Sequence, residues 1–178
     1  MNRIHLRQTL PQVFADRDAI TSDVWHRDIT FHKGKRYLIE AASGTGKSSL
    51  CSYVYGYRND YQGIINFDER NIRSLSVNDW TDIRKHSLSI LFQELRIFPE
   101  LTAIENIQLK NRLTNFKKSL CQPFDFIFLD EPVSHLDDEN GTIMGRLLTE
   151  EASRQGAGII VTSIGKHLEL DYDEIYQL

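Results

Sequence analysis

Hydrophobic positions along the chain fall into short runs broken by polar, glycine-marked segments. Residues 28–31 and 36–40 each read as a short strand, and Gly34 between them predicts a hairpin. A small-residue loop at 41–46 follows, then a helix over 47–55 with Gly56 placed as its stop. Residues 63–67 read as another strand. Ser76 and Asp79 have capping-box spacing and predict a helix to about His86, followed by an apolar strand over 88–92 that ends at Gln93. Thr102 and Glu105 make a second capping box ahead of a helix over 103–113, with Ile104, Ile107 and Leu109 apolar. The run 126–129 is four consecutive apolar residues, the pattern of a central parallel strand covered on both faces. A helix from about Asp137 to Gln155 stops at Gly156, the next buried strand is 157–162, and 174–178 reads as an edge strand.

Strands alternating with helices predict an α/β fold. The expectation is a P-loop NTPase core, a mostly parallel sheet flanked by helices, with an N-terminal antiparallel β part. The 178 residues carry no repeat or Pro/Gly-rich linker, so 1–178 reads as a single domain. Lys plus Arg number 21 against 25 Asp plus Glu, a net charge of −4 that disfavours nucleic acid held on a broad basic face. No apolar run approaches the ~18–20 residues of a membrane span, and the first ten residues lack a signal-peptide core. Two cysteines, Cys51 and Cys121, fit a reducing cytosolic setting better than a disulfide framework, with Cys51 read as core.

Residues 41–48 match the P-loop pattern at Gly46, Lys47 and Ser48, with Ala41 in place of the first glycine. Gly44 and Gly46 let the backbone curl with its N–H groups inward, onto a helix N-terminus that favours anions. Lys47 can reach the β- and γ-phosphates, and the Ser48 hydroxyl can ligate Mg²⁺. Were the first position to need positive φ, Ala41 would cost on the order of 1 kcal/mol. Asp130 and Glu131 follow the buried strand at its carboxyl end, where ligands sit in open α/β sheets. There Asp130 can help hold Mg²⁺, and Glu131 can orient or deprotonate an attacking water.

Taken in order, these residues resemble the ATP-binding cassette (ABC) ATPases. Ser43, Gly44, Thr45, Gly46, Lys47, Ser48 and Ser49 follow that family's phosphate loop. Leu91, Phe92 and Gln93 resemble its Q-loop, and Phe98 to Thr102 with Glu105, Asn106 and Ile107 look like the stretch after it. Residues 126–132 resemble the Walker B strand with its catalytic glutamate, and Ser134, His135, Leu136 and Asp137 its D-loop. The style is similar to the small ATPase subunits of lipoprotein-release, cell-division and macrolide-export systems.

The resemblance implies an ATP-binding subunit that couples hydrolysis of Mg-ATP to transport. Its partners would be an integral membrane permease and a second nucleotide-binding subunit, as a homodimer or pseudo-dimer. It would sit in the cytoplasm, peripheral on the inner face of the cell membrane. Gln93 would touch the Mg²⁺ site and Asp137 the other subunit. Phe14 is offered as the aromatic that stacks on adenine, with a core phenylalanine on an early strand as the open alternative.

Two family features are missing. The histidine expected after the strand at 159–162 is replaced by Ser163, which can donate a hydrogen bond but carries no charge. His167, four residues on, is not read as its substitute. The glycine-rich signature (LSGGQ) and the helical subdomain carrying it should lie between Gln93 and Asp130, yet only 37 positions separate those residues (130 minus 93). A three-helix insert needs about 45 residues. No glycine occurs from Leu95 to Leu129, so the subdomain reads as missing near 114–120.

The alternative is therefore a non-hydrolysing, nucleotide-dependent binding module. A small-molecule kinase would want an arginine-rich lid after the acids, which is absent from the sequence. His135, Asp137 and Asp138 read as D-loop and helix start rather than a metal site, and 169–174 as a solvated acidic face. Tyr53 and Tyr57, four apart, read as packing or snorkelling at a helix end.

Overall fold

The computed structural model describes residues 1–17, 20–91, 123–134 and 136–178. The second capping box at Thr102 and Glu105, the helix over 103–113, Gln93, Cys121, His135 and the segment 114–120 lie outside them.

Among the described residues, nine strands build two sheets. They are β1 (Arg3–Pro11), β2 (Asp28–His32), β3 (Arg36–Glu40), β4 (Tyr61–Phe67), β5 (Arg70–Asn71), β6 (Leu88–Leu91), β7 (Phe126–Asp130), β8 (Gly158–Ser163) and β9 (Glu174–Gln177). One sheet is antiparallel in the order β2-β1-β4-β5, and the other has the order β6-β7-β8-β3-β9 with every pairing parallel. Helices α1 (Lys47–Val54), α2 (Val77–His86) and α3 (Asp138–Gln155) connect them.

The α/β expectation holds, and β7 and β8 are buried along their whole lengths, as strands covered on both faces must be. Alternate residues face two cores. Tyr37, Ile39, Phe126, Phe128 and Ile160 join α1 and the antiparallel sheet. Leu38, Ile127, Leu129, Ile159 and Val161 pack on Leu148 and Ala152 of α3. The parallel sheet is therefore a filled middle layer, which fixes its strand ends in place.

The predicted hairpin across Gly34 does not form. β2 pairs with β1 (Ile4 opposite Phe31), whereas β3 lies between β8 and β9. The burial patterns give the reason. β2 alternates buried and exposed positions and can serve a sheet with one wet face, while Tyr37, Leu38 and Ile39 are all buried and need cover on both sides. Gly34, at φ 83°, turns the chain from one sheet into the other, and the Tyr37 hydroxyl accepts the His32 N–H at 2.8 Å across that turn.

The helix starts read at 47, at Ser76 and at about Asp137 all hold. Ser76 and Asp79 form a reciprocal capping box on α2. Asp137 caps α3 by accepting the Asn140 N–H at 2.8 Å, and Gly156 ends it in the left-handed conformation at φ 62°. β9 lies at the sheet edge as expected, but its acidic approach is not merely solvated. Asp173 accepts the Arg36 N–H at 2.7 Å, and Glu174 pairs with Lys35 at 3.1 Å.

Candidate functional site

The loop after β3 leads straight into α1. Ala41 donates its N–H to the Ser163 carbonyl at 3.0 Å, which extends the β3–β8 ladder by one bond. Ala41 is not among the residues with positive φ, so the strain expected of alanine there is absent. The left-handed positions of the loop are Gly44 (φ 77°) and Gly46 (φ 103°), both occupied by the residue that tolerates them.

Gly46 is the N-cap of α1 and no side chain caps it. The first-turn N–H groups thus keep no intrahelical acceptor, and the helix dipole adds partial positive charge where they point. Thr45 Oγ1 donates to the Ala42 carbonyl at 2.9 Å, and the Trp25 indole N–H donates to the Thr45 carbonyl at 2.8 Å. Lys47 is 5% exposed, and its Nζ lies 3.4 Å from both the Ala42 carbonyl and Glu131 Oε1.

β7 supplies the acids. Asp130 is buried, stands opposite Thr162 in the β7–β8 register, and accepts the Thr162 hydroxyl at 2.6 Å. Glu131 donates its N–H to the Thr162 carbonyl at 2.9 Å and adopts φ 49°, a left-handed conformation unfavourable for a residue with a Cβ. The parallel strands β3, β7 and β8 thus bring the loop, Lys47, Asp130, Glu131 and Thr162 to one sheet edge, the carboxyl-end crevice of an α/β fold. Thr162 was not singled out by spacing, because a threonine ending an apolar run carries no signal of its own.

The other sequence candidates divide. Ser43, Gly44 and Ser48 are exposed. Ser49 instead accepts from Arg58 Nη1 at 3.1 Å. Gln93 lies outside the described residues. Phe14 sits in a 3₁₀ turn just after β1, not on a strand, and is 6% exposed. Arg17 covers its ring at 4.2 Å, and its Cε2 lies 3.1 Å from the place a Gly46 Cβ would occupy. Phe14 therefore packs beneath the phosphate loop, which supports the core alternative over an open platform for adenine.

Ser163 is 1% exposed and donates to the Lys166 carbonyl, so its hydroxyl is already engaged. His167 contacts the Gly165 carbonyl through Nδ1 at 3.2 Å. Cys51 is buried, and burial pushes its thiol far up, as expected of a core cysteine. Tyr53 pairs with Tyr61 and Tyr57 with Tyr55, so the two tyrosines four apart do not stack on each other. Among the described residues, no three His, Cys, Asp or Glu side chains cluster to cage a metal. None of the helices among them is long and apolar enough to cross a membrane.

The chain is similar to known proteins in sequence and in fold. The family model described as ABC transporter matches residues 26–155. The lipoprotein-releasing system ATP-binding protein LolD of Syntrophotalea carbinolica is 31% identical over 192 residues, covering 86% of this chain and 85% of the relative. That share of 178 residues is about 153, so about 39 of the 192 aligned positions have no counterpart here. An uncharacterized ABC transporter ATP-binding protein, YclH of Bacillus subtilis, is 23% identical over 76% of each chain. Among solved structures, the dimeric bacterial ABC transporter cassette MJ0796 superposes with a TM-score of 0.70 at 18% identity, covering 90% of this chain and 87% of that one. The chain belongs to the ABC transporter family, as one of its ATP-binding ATPase subunits.

Proposed function

We propose that this subunit binds Mg-ATP in the loop 41–48 and couples its hydrolysis to transport through an integral membrane permease. In this reading it works on the inner face of the membrane, paired with a second nucleotide-binding subunit. The observation that carries the reading is Lys47, buried and 3.4 Å from Glu131, between an uncapped helix N-terminus and the strand-end acids.

Backbone N–H groups from Gly44 to Ser48 and the Lys47 ammonium hold the β- and γ-phosphates. The Ser48 hydroxyl and Asp130 carboxylate are hard oxygen donors, suited to Mg²⁺ shared with phosphates. Mg²⁺ supplies neutralisation of the phosphate charge. The resemblance adds Gln93 to that shell. With phosphate on Lys47, Glu131 gives up its contact with the ammonium and turns to the attacking water, accepting its proton.

Titration of Mg-ATP, with an ATPase assay beside it, tests the reading. Lys47→Ala should lose most nucleotide affinity. Glu131→Gln should keep affinity and lose hydrolysis. Unchanged hydrolysis in Glu131→Gln would remove Glu131 from the mechanism. Recovery of the chain with membranes only when a permease is co-expressed would support the partner.

A further inference from the structure

We infer that Trp25 is a positioning residue for phosphate binding: its indole N–H fixes the Thr45–Gly46 peptide so that the Gly46 N–H faces the anion. This rests on the nucleotide-binding reading and extends it to a residue just outside the stretch matched by the family model.

A trans peptide is planar, with its C=O and N–H pointing in opposite directions. Trp25 Nε1 holds the Thr45 carbonyl at 2.8 Å on one side. The N–H of the same peptide unit, which belongs to Gly46, must therefore point to the other side, away from the indole. Without the indole, that unit can turn about the Gly46 φ, which stands at 103° in a residue without a Cβ, so rotation on that side meets little steric resistance. The ring also closes on the loop. A Cβ on Gly46 would lie 3.1 Å from Trp25 Cζ2, so the missing side chain is what lets the indole approach.

The indole is itself held in place. Trp25 is 1% exposed, and its backbone N–H and that of Val24 both donate to Ser22 Oγ, at 2.9 and 3.0 Å. His26 N–H donates to the Thr9 carbonyl of β1 at 3.0 Å. Asp23 exchanges two bonds with Gln177 of β9, N–H to carbonyl at 2.7 Å and Gln177 N–H to Oδ2 at 2.8 Å. The segment is thus tied to both sheets, and the Thr45 carbonyl meets a donor that does not move with the loop.

Three chains are titrated with Mg-ATP and with Mg-tripolyphosphate, which has the phosphate chain but no base or sugar. They are wild type, Trp25→Phe, and Phe31→Leu as a control that thins the core away from the loop; urea unfolding is measured on each. Trp25→Phe should bind both ligands about three- to tenfold more weakly, as for loss of one hydrogen bond. Phe31→Leu should lose stability without losing affinity.

Equal affinity of wild type and Trp25→Phe, or an equal loss in Phe31→Leu, would overturn the inference while leaving nucleotide binding intact. Wild type that binds neither ligand would overturn the nucleotide reading itself. Should Trp25→Phe not fold, Trp80→Phe leaves Trp25 as the single indole of a chain that has two. Its emission should shift on adding tripolyphosphate, and an unchanged spectrum under saturating ligand would refute the coupling.

Discussion

Alanine at position 41 and glycine at position 46 occupy the same loop under different constraints. Ala41 has an ordinary backbone and continues the ladder to Ser163, whereas Gly46 has φ 103° and two aromatic rings within 3.1 Å of any Cβ. Glycine at 41 would add freedom to the unfolded chain and gain nothing folded, so Ala41→Gly should cost about 0.5–1 kcal/mol with nucleotide affinity unchanged. Gly46→Ala should be worse on both counts, since it combines left-handed strain with a clash against Phe14 and Trp25. Urea unfolding with ATP titration on the two variants checks the pair. Spacing singles out Gly44, Gly46, Lys47, Asp130 and Glu131, which the fold brings to the same strand ends, because each has a distinctive residue type at a fixed offset from a strand. Trp25 and Thr162 act through what the fold brings beside them, which no local spacing records.

Among the elements, α2 depends most on its ends, for none of its residues is buried. Ser76→Ala should cost about 1 kcal/mol, the usual worth of an N-cap, read as a shift in urea midpoint at constant slope. Hydrogen bonds from Arg70 and Ser76 hold the Asp79 carboxyl well below its ordinary value. A depressed folded pKa contributes stability that is complete above the unfolded value, about 3.9, and is lost as pH falls through the folded one. Stability followed from pH 6 into acid should therefore drop less steeply in Asp79→Asn than in wild type.

This helix was legible because Ser76 and Asp79 state its start in a fixed pattern. β1 was not. Ile4 and Leu6 begin a clean alternation, but Gln8 takes φ 48° opposite Gly63, whose Cβ would lie 2.3 Å from the Gln8 carbonyl. That bulge shifts the register between Arg7 and Leu10 and moves the later apolar residues out of phase. The false hairpin at Gly34 has a related cause, since a glycine turn between two strands looks the same whether they pair or part into different sheets.

At the scale of the whole molecule, the middle parallel layer delivers a loop, a lysine and two acids to one edge, but charge develops on all sides of a γ-phosphate in transfer. The resemblance implies that the missing donors come from the glycine-rich signature of a second subunit. Here no glycine occurs from Leu95 to Leu129, and about 39 aligned positions of the LolD relative lack a counterpart. Ser163, buried and bonded to the Lys166 carbonyl, offers no charge in place of the absent histidine. Losing one such preorganised donor costs about 10²–10³ in rate. The 178-residue chain should therefore bind Mg-ATP and turn it over at least about a hundredfold more slowly than a full-length relative assayed beside it. The residual rate should vanish in Glu131→Gln and be indifferent to protein concentration if no signature-bearing partner is present. A rate matching the relative, rising with concentration as a dimer forms, would mean that another segment of this chain supplies the missing donors.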